Sequence, residues 1–86
     1  MPTLSSFYGI VVRMYYDDHA PPHIHVMYGG DEALVALETL VVIRGRLPRR
    51  ALALVLEWAT LHRSELNQAW SRAEAHEPLV AIAPLD

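Results

Sequence analysis

The sequence predicts an α+β fold: a small antiparallel meander of three to four strands packed against one long helix in the C-terminal half, with a short C-terminal strand or tail. The first half alternates β-branched and aromatic residues with polar ones and is interrupted by turn residues, which is typical of consecutive strands. The second half has no glycine or proline between Pro48 and Pro78, which favours a helix. At 86 residues the chain predicts a single domain, residues 1–86, with one modest core.

The first predicted strand is Phe7–Tyr16, preceded by a lead-in at Met1–Ser6. Its two-residue alternation puts the more apolar side chains on one face: Tyr8, Ile10, Val12, Met14 and Tyr16. Asp17–Pro22 is predicted as a loop, because prolines cannot donate hydrogen bonds to a sheet. His23–Tyr28 reads as the second strand and ends at the turn Gly29-Gly30.

The third predicted strand is Glu32–Glu38, and Leu40–Ile43 either continues it or forms a fourth strand. A short helix is the alternative for this segment, since its residues also have helix propensity. We favour strands, because two hairpin-like turns in succession make a meander.

The predicted helix begins at Pro48, because proline is well tolerated at the first helical position. Its core-facing stripe consists of Leu52, Val55, Leu56, Ala59, Leu66, Ala69 and Ala73. A helix of about 26 residues would be about 40 Å long, which exceeds the width of so small a sheet. We therefore expect that the helix either breaks near His62–Ser64 or projects beyond the sheet. Leu79–Leu85 is predicted as a short tail or edge strand.

Composition excludes several classes of protein. Hydrophobic residues make up 52% and charged residues 20%, which excludes intrinsic disorder. No apolar run approaches the roughly 18 residues that a membrane span needs, and we expect no signal peptide. There is no cysteine, so disulfides and thiolate sites are excluded and a cytoplasmic location is expected. The net charge of −3 argues against general nucleic-acid binding.

The most specific chemical feature is a group of histidines beside two aspartates. His23 and His25 share one face of a predicted strand, and His19 or Asp18 could reach them across the proline loop. His19, His23, His25 and Asp18 are therefore candidate ligands for a divalent metal such as Zn²⁺. The three histidines are equally candidates for metal-free acid and base catalysis of RNA cleavage. The third alternative is a structural role, in which imidazole N–H groups hydrogen-bond to the backbone of the proline loop.

All seven basic residues are arginines, and four of them lie at Arg44, Arg46, Arg49 and Arg50. Cations in the first turn oppose the helix dipole, and a bound anion would offset that cost. We therefore consider Arg46, Arg49 and Arg50 candidate anion-binding residues. The alternative is ion pairing with Asp31, Glu32 or Glu38.

A second apolar stripe on the helix consists of Leu54, Trp58 and Leu61. It lies to one side of the core-facing stripe, so it is a candidate interface with a second copy or another protein. We expect a homodimer or a complex with a partner.

The order of these motifs is similar to a bacterial family known as domain of unknown function 4160. The similarity is clearest in the segment Asp18-His19-Ala20-Pro21-Pro22-His23-Ile24-His25, and it continues through Gly45-Arg46-Leu47-Pro48 to Trp58, His62 and Trp70. The resemblance implies a partner, because genes of this family often neighbour those of another small family in a proposed toxin–antitoxin pair.

The leading functional hypothesis is a small cytoplasmic component of a toxin–antitoxin-like module. In its sharper form it is an RNA-cleaving toxin in which His23 and His25 act as acid and base and the arginines hold phosphate. The alternatives are a non-enzymatic interaction module or antitoxin that binds through its long helix, and a small metal-binding protein.

Overall fold

The computed structural model describes residues 2–86 and shows an α+β fold. Five strands form one antiparallel sheet, and two helices follow in the second half of the chain. No helix in this described part of the chain is long and apolar enough to cross a membrane. The elements are β1 Thr3–Phe7, β2 Ile10–Arg13, β3 His23–Tyr28, β4 Asp31–Ala36, β5 Val42–Gly45, α1 Arg49–Leu61 and α2 Arg63–Glu74.

The sheet is a simple meander in which the strands lie in chain order from β1 to β5. The expectation of three to four strands was wrong by at least one, because Phe7–Tyr16 is not one strand. Tyr8 and Gly9 form a two-residue turn with φ of 51° and 80°, the left-handed conformation that a tight hairpin turn requires. The turn pairs Phe7 with Ile10, so the predicted lead-in becomes the edge strand β1.

The other strands follow the predicted order. β3 has the predicted bounds, and the turn at Gly29-Gly30 leads into β4. The segment after β4 forms a separate strand, β5, rather than a continuation. Gly45 ends β5 with φ of 73°, close to the backbone of Glu32 on β4.

The predicted single helix is two helices that meet at His62, so the break near His62–Ser64 is the alternative that the chain adopts. His62 leaves the helical conformation at φ −120° and ψ 29°, while its carbonyl accepts the amide of Leu66 in α2. The break keeps the molecule within 33 × 26 × 22 Å. An unbroken helix would exceed its longest dimension.

Trp58 lies at the centre of the core between the sheet and the C-terminal tail. Its ring packs 5.5 Å from that of Phe7, measured between centroids, and its indole N–H donates to the carbonyl of Ala83 at 2.8 Å. The amide of Ile82 donates to the carbonyl of Leu4 at 2.8 Å. The segment Leu79–Leu85 is therefore a tail that closes the core, not a strand.

The predicted interface stripe does not exist as one surface. Trp58 is 0% exposed, Leu54 is half-buried and Leu61 is 66% exposed. The buried face of α1 consists of Ala51, Val55, Trp58 and Ala59, so Trp58 belongs to the core stripe. The assignment of Trp58 to an interface was wrong, and a dimer stays a prediction without this support.

We predict that Trp58→Ala destabilises the folded chain rather than dissociating a complex. Removal of a fully buried indole costs about 3–5 kcal/mol, whereas Leu61→Ala on the exposed side of the same helix changes stability by about 0.5 kcal/mol or less. Urea denaturation of both variants measures the difference. Equal stability of the two variants would contradict the assignment of Trp58 to the core.

Gly45 and Gly30 provide a second test of the fold. A Cβ on Gly45 would lie 2.1 Å from the carbonyl oxygen of Glu32, whereas a Cβ on Gly30 meets nothing within 4 Å. Gly45→Ala should therefore lower the free energy of unfolding by at least about 1 kcal/mol. Gly30→Ala should be neutral or gain up to about 1 kcal/mol. A neutral Gly45→Ala variant would show that β5 does not approach β4 as described.

Candidate metal centre

The central strand β3 carries both core residues and two residues of the candidate site. Ile24 and Val26 are fully buried against the helices, so His23 and His25 project from the opposite side of the strand. β3 pairs with β2 on one side and with β4 on the other. His25 is therefore paired on both sides, with Arg13 and Leu34, whereas His23 is paired with Ala36 of β4.

The loop between β2 and β3 brings Asp18 back over these histidines. Asp18 Oδ2 lies 2.7 Å from His25 Nε2 and 2.9 Å from His23 Nε2. Its other oxygen, Oδ1, accepts the backbone N–H of His19 at 3.0 Å. The loop is anchored at its end, where the Pro22 carbonyl accepts the amide of Leu37 at 2.9 Å. One carboxylate oxygen is thus directed at two imidazole nitrogens.

The opposite nitrogen of each imidazole has its own acceptor. His23 Nδ1 lies 2.7 Å from the Pro21 carbonyl oxygen, and because that oxygen carries no hydrogen, Nδ1 is the donor. His25 Nδ1 lies 3.5 Å from Glu32 Oε2. Aromatic rings of Trp70 and Tyr15 pack against His23 and His25, with centroid distances of 5.5 Å and 4.3 Å. Both rings are oriented with Nε2 towards Asp18.

His23 Nε2 has a short contact but no hydrogen bond. It is 2.9 Å from Asp18 Oδ2, yet it is buried and the geometry with every partner in residues 2–86 fails the requirements of a hydrogen bond. In a neutral His23 whose proton is on Nδ1, Nε2 carries a lone pair. A lone pair facing a carboxylate oxygen is repulsive unless a cation lies between them, either a second proton or a metal ion.

The carboxylate of Asp18 is held in its charged form. Burial alone would raise its pKa, but the hydrogen bond from His25, the amide of His19 and the charges of both histidines outweigh that effect. The net result is a pKa of Asp18 below its ordinary value. A deprotonated carboxylate is the form that ligates a metal.

The three ligand atoms lie close enough together to share one metal ion. Asp18, His23 and His25 each offer one ligand atom within 4.8 Å of the others. Ligands of a tetrahedral Zn²⁺ lie about 3.3 Å apart, because its bonds are about 2.0–2.1 Å long. A shift of a few tenths of an ångström in the Asp18 contacts would therefore admit the ion. The outward Nδ1 contacts are those that metal-ligating histidines usually make.

The comparison with protein families agrees with the sequence motifs. A family model described as "Domain of unknown function (DUF4160)" matches residues 9–71. The chain belongs to this family. The matched segment includes the β2–β3 loop and β3, so it contains the whole cluster. It also includes α1 and most of α2. Searches among curated proteins and among solved structures gave no match.

His19 lies outside the three-atom cluster of the DUF4160 chain. Its side chain is exposed, and only its backbone N–H contacts Asp18. His19 does line a surface depression of about 280 Å³, together with Asp18, His23 and Arg44. It is thus a neighbour of the cluster rather than a member.

Arg46, Arg49 and Arg50 are exposed and do not border the cluster. Ion pairs with Asp31, Glu32 or Glu38 do not form in the part of the chain that the structure describes. The arginines near the cluster are Arg44 on β5 and Arg13 on β2. Sequence reasoning missed Arg13 as a site residue, because its nearness to His25 depends on the register between two strands.

We predict that the neutral His23 ring carries its proton on Nδ1. Two-dimensional ¹H–¹⁵N correlation spectra of the imidazoles at about pH 9, where histidine is neutral, distinguish the two tautomers. His76, whose side chain is 65% exposed and whose Nε2 rather than Nδ1 faces an acceptor, Asp17 Oδ1 at 3.5 Å, is the internal comparison. An Nε2-protonated His23 in the metal-free protein would contradict the contact with Pro21.

Proposed function

We propose that this protein binds one divalent transition metal ion, with Zn²⁺ as the best fit, through Asp18 Oδ2, His23 Nε2 and His25 Nε2. The observation that carries the proposal is the buried Nε2 of His23, which points at a carboxylate oxygen without forming a hydrogen bond. Two histidines and one carboxylate leave at least one coordination position open, as in hydrolytic zinc sites. The proposed function is therefore that of a metal-dependent hydrolytic protein.

The convergence of the two histidines favours a metal over a metal-free acid and base pair. Acid and base catalysis needs two imidazole nitrogens that reach a substrate. Here both Nε2 atoms face the same oxygen of Asp18, and the His23 side chain is only 5% exposed. RNA cleavage by His23 and His25 acting alone is therefore poorly supported by this geometry.

A purely structural role is also less favourable than metal binding. A buried polar atom without a partner costs about 1–3 kcal/mol. A metal-free structural cluster would keep that cost at a neutral His23 or would need a second proton on its Nε2. A bound metal ion removes it, because the lone pair of Nε2 becomes a ligand.

The chain's own residues have defined tasks in this proposal. A bound Zn²⁺ would act as a Lewis acid and lower the pKa of a coordinated water to about 7. Pro21 and Glu32 orient the two histidines through their Nδ1 atoms. The amide of His19 orients the carboxylate of Asp18. Glu32, whose side chain is 55% exposed, lies on the solvent side of His25, where it can accept a proton.

A partner protein in a toxin–antitoxin-like pair stays a prediction, as does a homodimer. The described surface offers exposed apolar side chains at Val41, Ile43, Leu61 and Val80 rather than one continuous helical stripe. A partner that binds through the helices alone would find only Leu61 as a large, strongly exposed apolar contact on α1.

We predict one Zn²⁺ per chain for protein purified without a histidine tag, as measured by elemental analysis. Asp18→Ala and His25→Ala should each lose the metal, because two ligands alone bind Zn²⁺ weakly. His76→Ala removes an exposed histidine that contacts Asp17 but none of the three ligands, so it is the matched control and should keep the metal. At a free Zn²⁺ concentration about 100 times Kd, the melting temperature should rise by about 10 °C or more.

Two outcomes would overturn this proposal. The first is wild-type protein that stays metal-free and melts at the same temperature with Zn²⁺ and with a chelator. The second is equal loss of metal in His76→Ala and His25→Ala.

A further inference from the structure

A row of side chains crosses the sheet beside the candidate metal centre. Strand register places Arg13 opposite His25, His25 opposite Leu34, and Leu34 opposite Arg44. Directly opposed residues have Cβ atoms about 5 Å apart. Arg13 therefore lies directly beside His25 in the row. Arg44 lies on the other side of His25, with Leu34 between them.

Neither Arg13 nor Arg44 forms an ion pair within residues 2–86. No acidic side chain in residues 2–86 lies within 4 Å of the guanidinium of Arg13 or Arg44. Arg13 Nε is buried and has no hydrogen-bond partner there. Arg44 is exposed. Arg44, which borders the metal ligands, and Arg13, which is the strand neighbour of His25, thus keep their capacity to bind an anion.

Arg44 borders the metal ligands from two sides. It lines the depression of about 280 Å³ that contains Asp18 and His23. It also lines a second depression of about 380 Å³ that contains His25 and Glu32. A ligand in either depression would contact both Arg44 and the metal-ligating side chains.

The charges favour an anion once the metal is bound. Asp18 and Glu32 contribute two negative charges, and Arg13 and Arg44 contribute two positive charges. A divalent metal therefore leaves this site with a net charge of about +2 on a protein whose net charge is −3. Guanidinium groups bind phosphate oxygens with two hydrogen bonds each.

We infer that the open side of the Asp18–His23–His25 site takes a phosphate group, with one oxygen towards the metal and the others held by Arg44 and Arg13. This inference rests on the proposed metal site and names its substrate class as phosphate esters. Arg44 and Arg13 are the binding residues in this arrangement, whereas Arg49 and Arg50 on α1 are not.

Isothermal titration of zinc-loaded protein with inorganic phosphate tests this inference. Arg44→Ala should raise the Kd for phosphate at least tenfold while the zinc content stays at one per chain. Arg13→Met, which keeps the apolar stem of the side chain, should also raise Kd. The double variant Arg49→Ala/Arg50→Ala removes two exposed arginines elsewhere and should change Kd less than twofold.

The outcomes separate this inference from the proposed metal site. Zinc-loaded protein that binds no phosphate would overturn the inference and leave the metal site intact. Equal weakening by Arg44→Ala and Arg49→Ala/Arg50→Ala would also overturn it. Protein that binds no zinc would overturn the proposed function itself. A parallel titration with diethyl phosphate distinguishes a phosphodiester from a terminal phosphate. The ligand with the lower Kd shows which of the two the site takes.

Discussion

The two-residue alternation of β3 is the constraint on which the rest of this structure depends. β3 is the middle strand of the sheet, and pairing on both sides prevents its register from slipping. A shift by one residue would turn Ile24 and Val26 out of the core and move His23 and His25 away from Asp18. The hydrophobic energy of the core therefore fixes where His23 and His25 point.

The core and the site share β3 but have opposite chemistry, and they meet where the His23 ring packs against Trp70 of α2. In the core, the buried indole N–H of Trp58 donates a hydrogen bond to the Ala83 carbonyl. On the other side, His23 Nε2 is buried and unsatisfied within residues 2–86. Burial without a partner is costly, so it marks the place where a ligand would add stability. The rings of Trp70 and Tyr15 pack against His23 and His25 on this side of the strand.

Elements with a strong local signal were predictable from the sequence, and those that depend on tertiary contacts were not. The bounds of β3 followed from alternation and from the Gly29-Gly30 turn. The Tyr8-Gly9 turn was missed because a tyrosine rarely adopts positive φ. Trp58 was placed on the wrong stripe because the choice of buried helix face depends on the sheet and tail. The nearness of Arg13 to His25 depends on strand register, which the spacing of residues does not reveal.

The most direct test of the central claim is the position of the metal in a crystal of zinc-loaded protein, measured by anomalous diffraction at the zinc edge. We expect one peak about 2.0–2.2 Å from Asp18 Oδ2, His23 Nε2 and His25 Nε2, with His23 Nδ1 still hydrogen-bonded to the Pro21 carbonyl. A peak at other residues, or ligation of His23 through Nδ1, would contradict it.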